Sequence, residues 1–228
     1  MSSAIILEGL LKSLLILVVV SAGVLVSRRD ILSTFRSYAF QSFFLACIAI
    51  VLYIQEKNIV LLYTAILTFL SKVWFIPFFL RVVQQKLKIR RDIEFRYLKP
   101  TGSLFLSLVI ILVVYLVFSP ILHNLPVTDM FLLGSGLGIS VVLIGMITCF
   151  SRKKIIMKVV GYLTMENGAV LFSLFLSELP FMIEIFVVMD LIMMVMITVI
   201  MSFGMNTSIE EFHEYLNPFQ HWSKGGMK

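Results

Sequence analysis

Three ionisable side chains, Lys72, Glu166 and Asp190, stand near the middle of apolar runs long enough to cross a bilayer. A charge at the centre of a membrane helix costs roughly 2.5 to 3.5 kcal/mol to insert, so it points to work that the charge does. Two carboxyls and an amine held out of water can take up and release protons, or hold a monovalent cation. Burial disfavours the charged form and an opposite charge favours it, so moving one against the other drives uptake or release. Glu166 sits at the centre of its run, Asp190 within about 3 Å of the centre of the next, and Lys72 about 4 Å past the centre of its own. Lys72 lies in Ser71-Lys-Val-Trp-Phe-Ile-Pro77, where the proline removes a backbone donor and loosens the helix. Glu166, Asp190 and Lys72 are therefore expected to form a relay at one depth. Glu184, one turn inside the boundary of its run, Asn167 and Ser42 are candidate access-path residues, whereas Glu8 and Lys12, one turn apart, read as a local pair.

The elements that must position these groups are membrane helices. The chain has 228 residues, 60% hydrophobic and only 14% charged, with a mean hydropathy of +1.02, which leaves little room for a soluble catalytic domain. Seven windows qualify as spans: 4–26, 38–54, 59–80, 102–119, 128–150, 155–177 and 181–203. Glu8 precedes the first apolar run and Arg28 and Arg29 follow it, the reverse of a cleaved signal peptide, so the first span is expected to be retained. Cys47 and Cys149 fall inside spans and read as small core residues. His213 and His221 lack companion ligands, so no metal site is expected.

Charge sets the orientation. Alternate connections are basic: Arg28, Arg29 and Arg36; then the run from Arg81 to Lys99; then Arg152, Lys153, Lys154 and Lys158; then Lys224 and Lys228 in the tail. The intervening connections hold only Lys57. The N-terminus is thus expected outside and the C-terminus in the cytoplasm, and the net charge of +6 reads as a topology signal rather than a nucleic-acid surface. Ser27-Arg-Arg-Asp-Ile-Leu followed by Tyr38 matches Ser151-Arg-Lys-Lys-Ile-Ile followed by Tyr162 at an offset of 124 residues. This implies two parallel three-helix repeats: residues 1–100 with a basic cytoplasmic loop and residues 121–204, joined by a linking helix at 101–120 and followed by a cytoplasmic tail at 205–228. Glu166 aligns with Ser42, Asp190 with Ile66 and Lys72 with Met196, so the carboxylates belong to the second copy alone.

Gly161, Asn167 and Leu171, after the basic loop, resemble the NuoK-type subunit of respiratory complex I and its relative, the MrpC-type subunit of cation antiporters. The position of the complex I glutamate is held by Leu163, and the carboxylate stands at Glu166, about one turn along nearly the same face. Over nearly the whole chain, Gly161-Tyr162, Met165-Glu166-Asn167-Gly168, Pro180, Glu184-Ile185 and Asp190, with Lys72-Val73 and Pro77, resemble the hydrogenase-4 component E family of formate hydrogenlyase and related membrane-bound hydrogenases. That resemblance implies a multi-pass subunit of the cell inner (cytoplasmic) membrane with no catalytic centre or cofactor of its own. It would sit in the lipid bilayer among antiporter-like membrane subunits, under a peripheral hydrogenase module whose subunits carry nickel-iron and iron-sulfur centres. The expected role is coupling of redox turnover to proton or sodium translocation; the alternative is an MrpC-like subunit of a multi-subunit cation/proton antiporter. A seven-helix receptor fits poorly, because the outer connections are short and the last span has no lysine for a retinal Schiff base.

Overall fold

The computed structural model describes residues 2–28, 30–87, 100–123, 128–152 and 155–175, together with helical positions 185, 188–190, 192–193, 195–196 and 199. The fold is all-α. The elements are α1 (Ser2–Ser27), α2 (Ile31–Glu56), α3 (Ile59–Thr68), a π-helical segment (Phe69–Phe75), α4 (Ile76–Leu87), α5 (Pro100–His123), α6 (Asp129–Ser151) and α7 (Ile155–Ser173). Among the described residues five stretches are long and apolar enough to cross a membrane: Ile5–Ser27, Ile31–Glu56, Ile59–Val82, Thr101–Phe118 and Asp129–Ser151. This is a multi-pass membrane protein. The sixth rod, α7, has 19 residues and carries Lys158 and Glu166; the helical positions between 185 and 199 fall where a further span is expected.

Local chemistry sets the boundaries. The second span begins near residue 31 rather than the expected 38, because the Asp30 carboxylate accepts from the Ser33 amide at 3.0 Å and caps the helix about two turns before the apolar run. It ends at Lys57, whose backbone is left-handed (φ 57°) and whose amide donates to the Tyr53 carbonyl at 2.8 Å. Asn58 then caps α3 through the Val60 amide at 3.0 Å, so Lys57 and Asn58 alone turn the chain back across the membrane. Thr128 caps α6 through the Phe131 amide, with Asp129 placed favourably in the first turn.

The α3 rod changes register in mid-membrane. Pro77 has no amide for the Val73 carbonyl and its ring crowds that oxygen; the Ile76 amide instead donates to the Ser71 carbonyl, five residues back. The result is a π turn centred on Lys72.

Four glycines bring α6 and α7 together. A Cβ at Gly145 would lie 2.5 Å from the Met165 nitrogen and one at Gly161 2.7 Å from the Cys149 nitrogen; at Gly138 the distance to the Phe172 nitrogen would be 2.7 Å, and at Gly168 2.5 Å to that of Val142. Backbone thus packs on backbone, as in small-residue helix pairs in lipid. Around that pair, α1 packs on α2 and α6, and α2 packs on α3, the π segment and α7. The fourth span, on α5, buries 17% of its residues, the least of the five, and lies at the edge against α1 and α6.

Two apolar clusters fill the bundle, with a polar layer between them. Along α2, Ile31, Phe35 and Tyr38 enter one cluster and Leu45 to Leu52 the other; along α7, Ile156 to Leu163 enter the first and Val170 to Leu174 the second. The α3 rod runs the opposite way, from Leu61 and Ala65 to Ile76 and Leu80. On these three rods the crossover falls at polar side chains: Gln41 and Ser42 on α2, Thr68 and Lys72 on the α3 rod, and Thr164, Glu166 and Asn167 on α7, all buried.

Candidate functional site

Lys72, Glu166 and Asp190, expected at one depth, meet in this layer. Lys72 Nζ lies 2.7 Å from Glu166 Oε1 and 3.8 Å from Asp190 Oδ1. The side chains are 2%, 1% and 12% exposed, so the cluster is out of reach of bulk solvent and only Asp190 touches the protein surface. Ser71, beside Lys72, donates its hydroxyl to Asp190 Oδ2 at 2.6 Å. The π turn therefore supplies two of the groups that hold Asp190.

The α7 side is set by its glycines. With Gly161 and Gly168 pressed on α6, the opposite side of α7 carries Glu166 to Lys72 and Asn167 to α2, where Asn167 Nδ2 donates to Ser42 Oγ at 2.9 Å and to Gln41 Oε1 at 3.4 Å. The last helix is held beside α7 by Tyr162 Oη, which donates to Met189 Sδ at 2.9 Å next to Asp190. Lys72, Glu166, Asp190, Asn167 and Ser42 thus belong to one polar assembly. Glu184 lies outside the described residues, as do residues 88–99 of the basic loop and the tail with His213 and His221. Glu8 and Lys12 form the expected local pair, 2.7 Å apart and half exposed.

No protein-family model, curated protein or solved structure matches this chain. The geometry must carry the argument.

Sequence reasoning missed three contributors. Tyr38 and Gln41 are fully buried one turn from Ser42 and beside it; the three polar residues at i, i+3 and i+4 in the apolar run 38–54 are the signal that could have found them. Arg152, counted from sequence among the basic residues of a connection, is fully buried. Its Nη2 donates to the carbonyls of Val26 at 2.7 Å and Arg28 at 2.6 Å, satisfying the end of α1. Cys47 and Cys149 are free thiols, and no group of three metal-ligating side chains occurs among the described residues.

Charge counting defines what the cluster can do. One ammonium faces two carboxylates, so the fully ionised triad holds a net charge of −1 in a medium where an uncompensated charge costs several kcal/mol. One proton or one monovalent cation restores neutrality. Lys72 contacts Glu166 closely, at 2.7 Å, and Asp190 loosely, at 3.8 Å.

Proposed function

We propose that this chain is a non-catalytic membrane-arm subunit of a hydrogenase or complex I-like complex, in which the Lys72–Glu166–Asp190 triad couples redox turnover to proton or sodium translocation. The observation that carries the reading is the two-to-one ratio of carboxylates to ammonium, buried at the crossover between two apolar clusters. A structural ion pair needs one partner for each charge. A third group that leaves the set one cation short makes it a place where a cation is taken up and given back.

In this reading the chain is a multi-pass subunit of the cell inner membrane with seven spans, and the alternation of basic connections supports an outside N-terminus with those connections in the cytoplasm. Two parallel three-helix groups, each entering from outside, account for the meeting of residues that the 124-residue offset equates or nearly equates: Arg152 with Arg28, and Asn167 with Ser42. The likeness of Gly161, Glu166, Asn167, Asp190 and Lys72 to the hydrogenase-4 component E pattern supplies the redox partner: a peripheral nickel-iron and iron-sulfur module, with antiporter-like subunits alongside in the membrane.

Sealed vesicles containing the whole complex test the reading. Glu166→Gln keeps the side chain's shape and removes its charge and its exchangeable carboxyl proton. Hydrogenase turnover measured with a soluble electron acceptor should persist while ions moved per electron fall towards zero. Unchanged ions per electron in the variant would refute the coupling role, and ion exchange that needs no electron donor would assign the chain to an antiporter instead.

A further inference from the structure

Beside the triad, α2 and α7 enclose the remaining polar side chains of this assembly. Gln41, Ser42 and Asn167 are fully buried, and so is Tyr38, whose hydroxyl lies beside Ser42 and within electrostatic reach of Glu166 and Asp190. The two amides touch through Asn167 Nδ2 and Gln41 Oε1. Their other ends, the Gln41 Nε2 donor and the Asn167 Oδ1 acceptor, have no partner among the described residues. Each such buried group costs about 1–3 kcal/mol if left unmet.

The chemistry of the pair selects the ligand. A cation would satisfy the carbonyl oxygen and be repelled by the amide hydrogens; an anion would do the reverse. Water does both, accepting from Gln41 Nε2 and donating to Asn167 Oδ1, with capacity left for Ser42 or Tyr38. We propose that Tyr38, Gln41, Ser42 and Asn167 form a bound-water site in the midplane that exchanges protons with the Glu166 carboxyl. The water accepts the proton that leaves Glu166 and releases another of its own, so only a proton is transferred and the oxygen stays in place. The exchange role rests on the coupling function proposed above; occupation of the site by water does not.

Radiolytic labelling separates the two. A brief X-ray pulse splits bound water, and the hydroxyl radicals modify side chains touching it. In the intact complex Tyr38 should be labelled and Phe35, equally buried on the same helix, should not. Gln41→Leu removes the amide at similar volume and should abolish the labelling of Tyr38, whereas Gln41→Asn keeps an amide with room for water and should retain it. Unlabelled Tyr38 in the wild type, or labelling unchanged in Gln41→Leu, overturns the water site. If Gln41→Leu does not accumulate, the wild-type contrast between Tyr38 and Phe35 still decides. In vesicles, Gln41→Leu and Tyr38→Phe should slow ion movement by at least about tenfold. Dry, wild-type transport in Gln41→Leu alongside loss of transport in Glu166→Gln would overturn the exchange role and leave the coupling function standing. A silent Glu166→Gln alongside a labelled Tyr38 would overturn the coupling function and leave the water site standing.

Discussion

At the residue scale the triad is held together by electrostatics in a medium that punishes an unpaired charge. Removing the carboxylate charge of Glu166 leaves Lys72 with the Asp190 contact at 3.8 Å, whereas removing the ammonium leaves two carboxylates facing each other. Lys72→Met should therefore destabilise the assembled subunit more than Glu166→Gln, by about 3 kcal/mol or more if both carboxylates stay ionised. Thermal unfolding of the purified complex at neutral pH measures the difference, and an equal effect of the two changes would contradict the charge count. Lys72→Arg keeps the charge and should recover stability. It should recover ion transport only in part, because guanidinium does not release its proton and its planar fork binds a carboxylate in a fixed geometry.

At the element scale two backbone features aim the site. The π turn at Phe69–Phe75 exists because Pro77 cannot serve the Val73 carbonyl. In Pro77→Ala that amide returns and the segment can close into regular α-helix, which rotates Ser71 and Lys72 away from Asp190 and Glu166. The substitution is expected to leave the helix at least as stable but to lower transport about tenfold or more, read as ion flux against subunit content. Normal flux with a helical content that has risen would show that the π turn is incidental. On the other side, Gly161 and Gly168 seat α7 on α6 by backbone contact. Gly168→Leu places a branched side chain against Val142 and should prevent accumulation of the subunit. Gly136→Leu, at a position where a Cβ meets nothing within 4 Å, should accumulate normally; quantitative immunoblotting of membranes distinguishes the two.

At the scale of the whole molecule, orientation and company decide function. Arg28 and Lys57, both exposed, terminate the first and second spans at opposite ends of α2. With Cys47 and Cys149 replaced by Ala, Arg28→Cys should react with an impermeant thiol reagent only from the cytoplasmic face and Lys57→Cys only from outside. Reaction of both from one face would remove the topology. The same bundle leaves Trp74, Phe78, Leu70 and Val195 exposed, apolar side chains suited to lipid or to a neighbouring membrane helix.

Much of this was open to a reading of the chain alone. Membrane insertion is legible because a bilayer imposes a simple rule on composition, about 20 apolar residues per span. Lys72, Glu166 and Asp190 are legible because each puts a charge inside a long apolar run. Apolar periodicity says little about which way a lipid-embedded helix faces, since both its lipid side and its protein side are apolar. The burial of Tyr38 and Gln41, the inward position of Arg152 and the contact of Asn167 with Ser42 all depend on helix rotation, and rotation is set by backbone approach at Gly138, Gly145, Gly161 and Gly168. The sequence by itself determined that the chain is built of membrane-length apolar helices and that three charges interrupt apolar runs. Only the tertiary structure decided that one ammonium serves two carboxylates, because pairing across residues 72, 166 and 190 is a property of packed helices and not of any one of them.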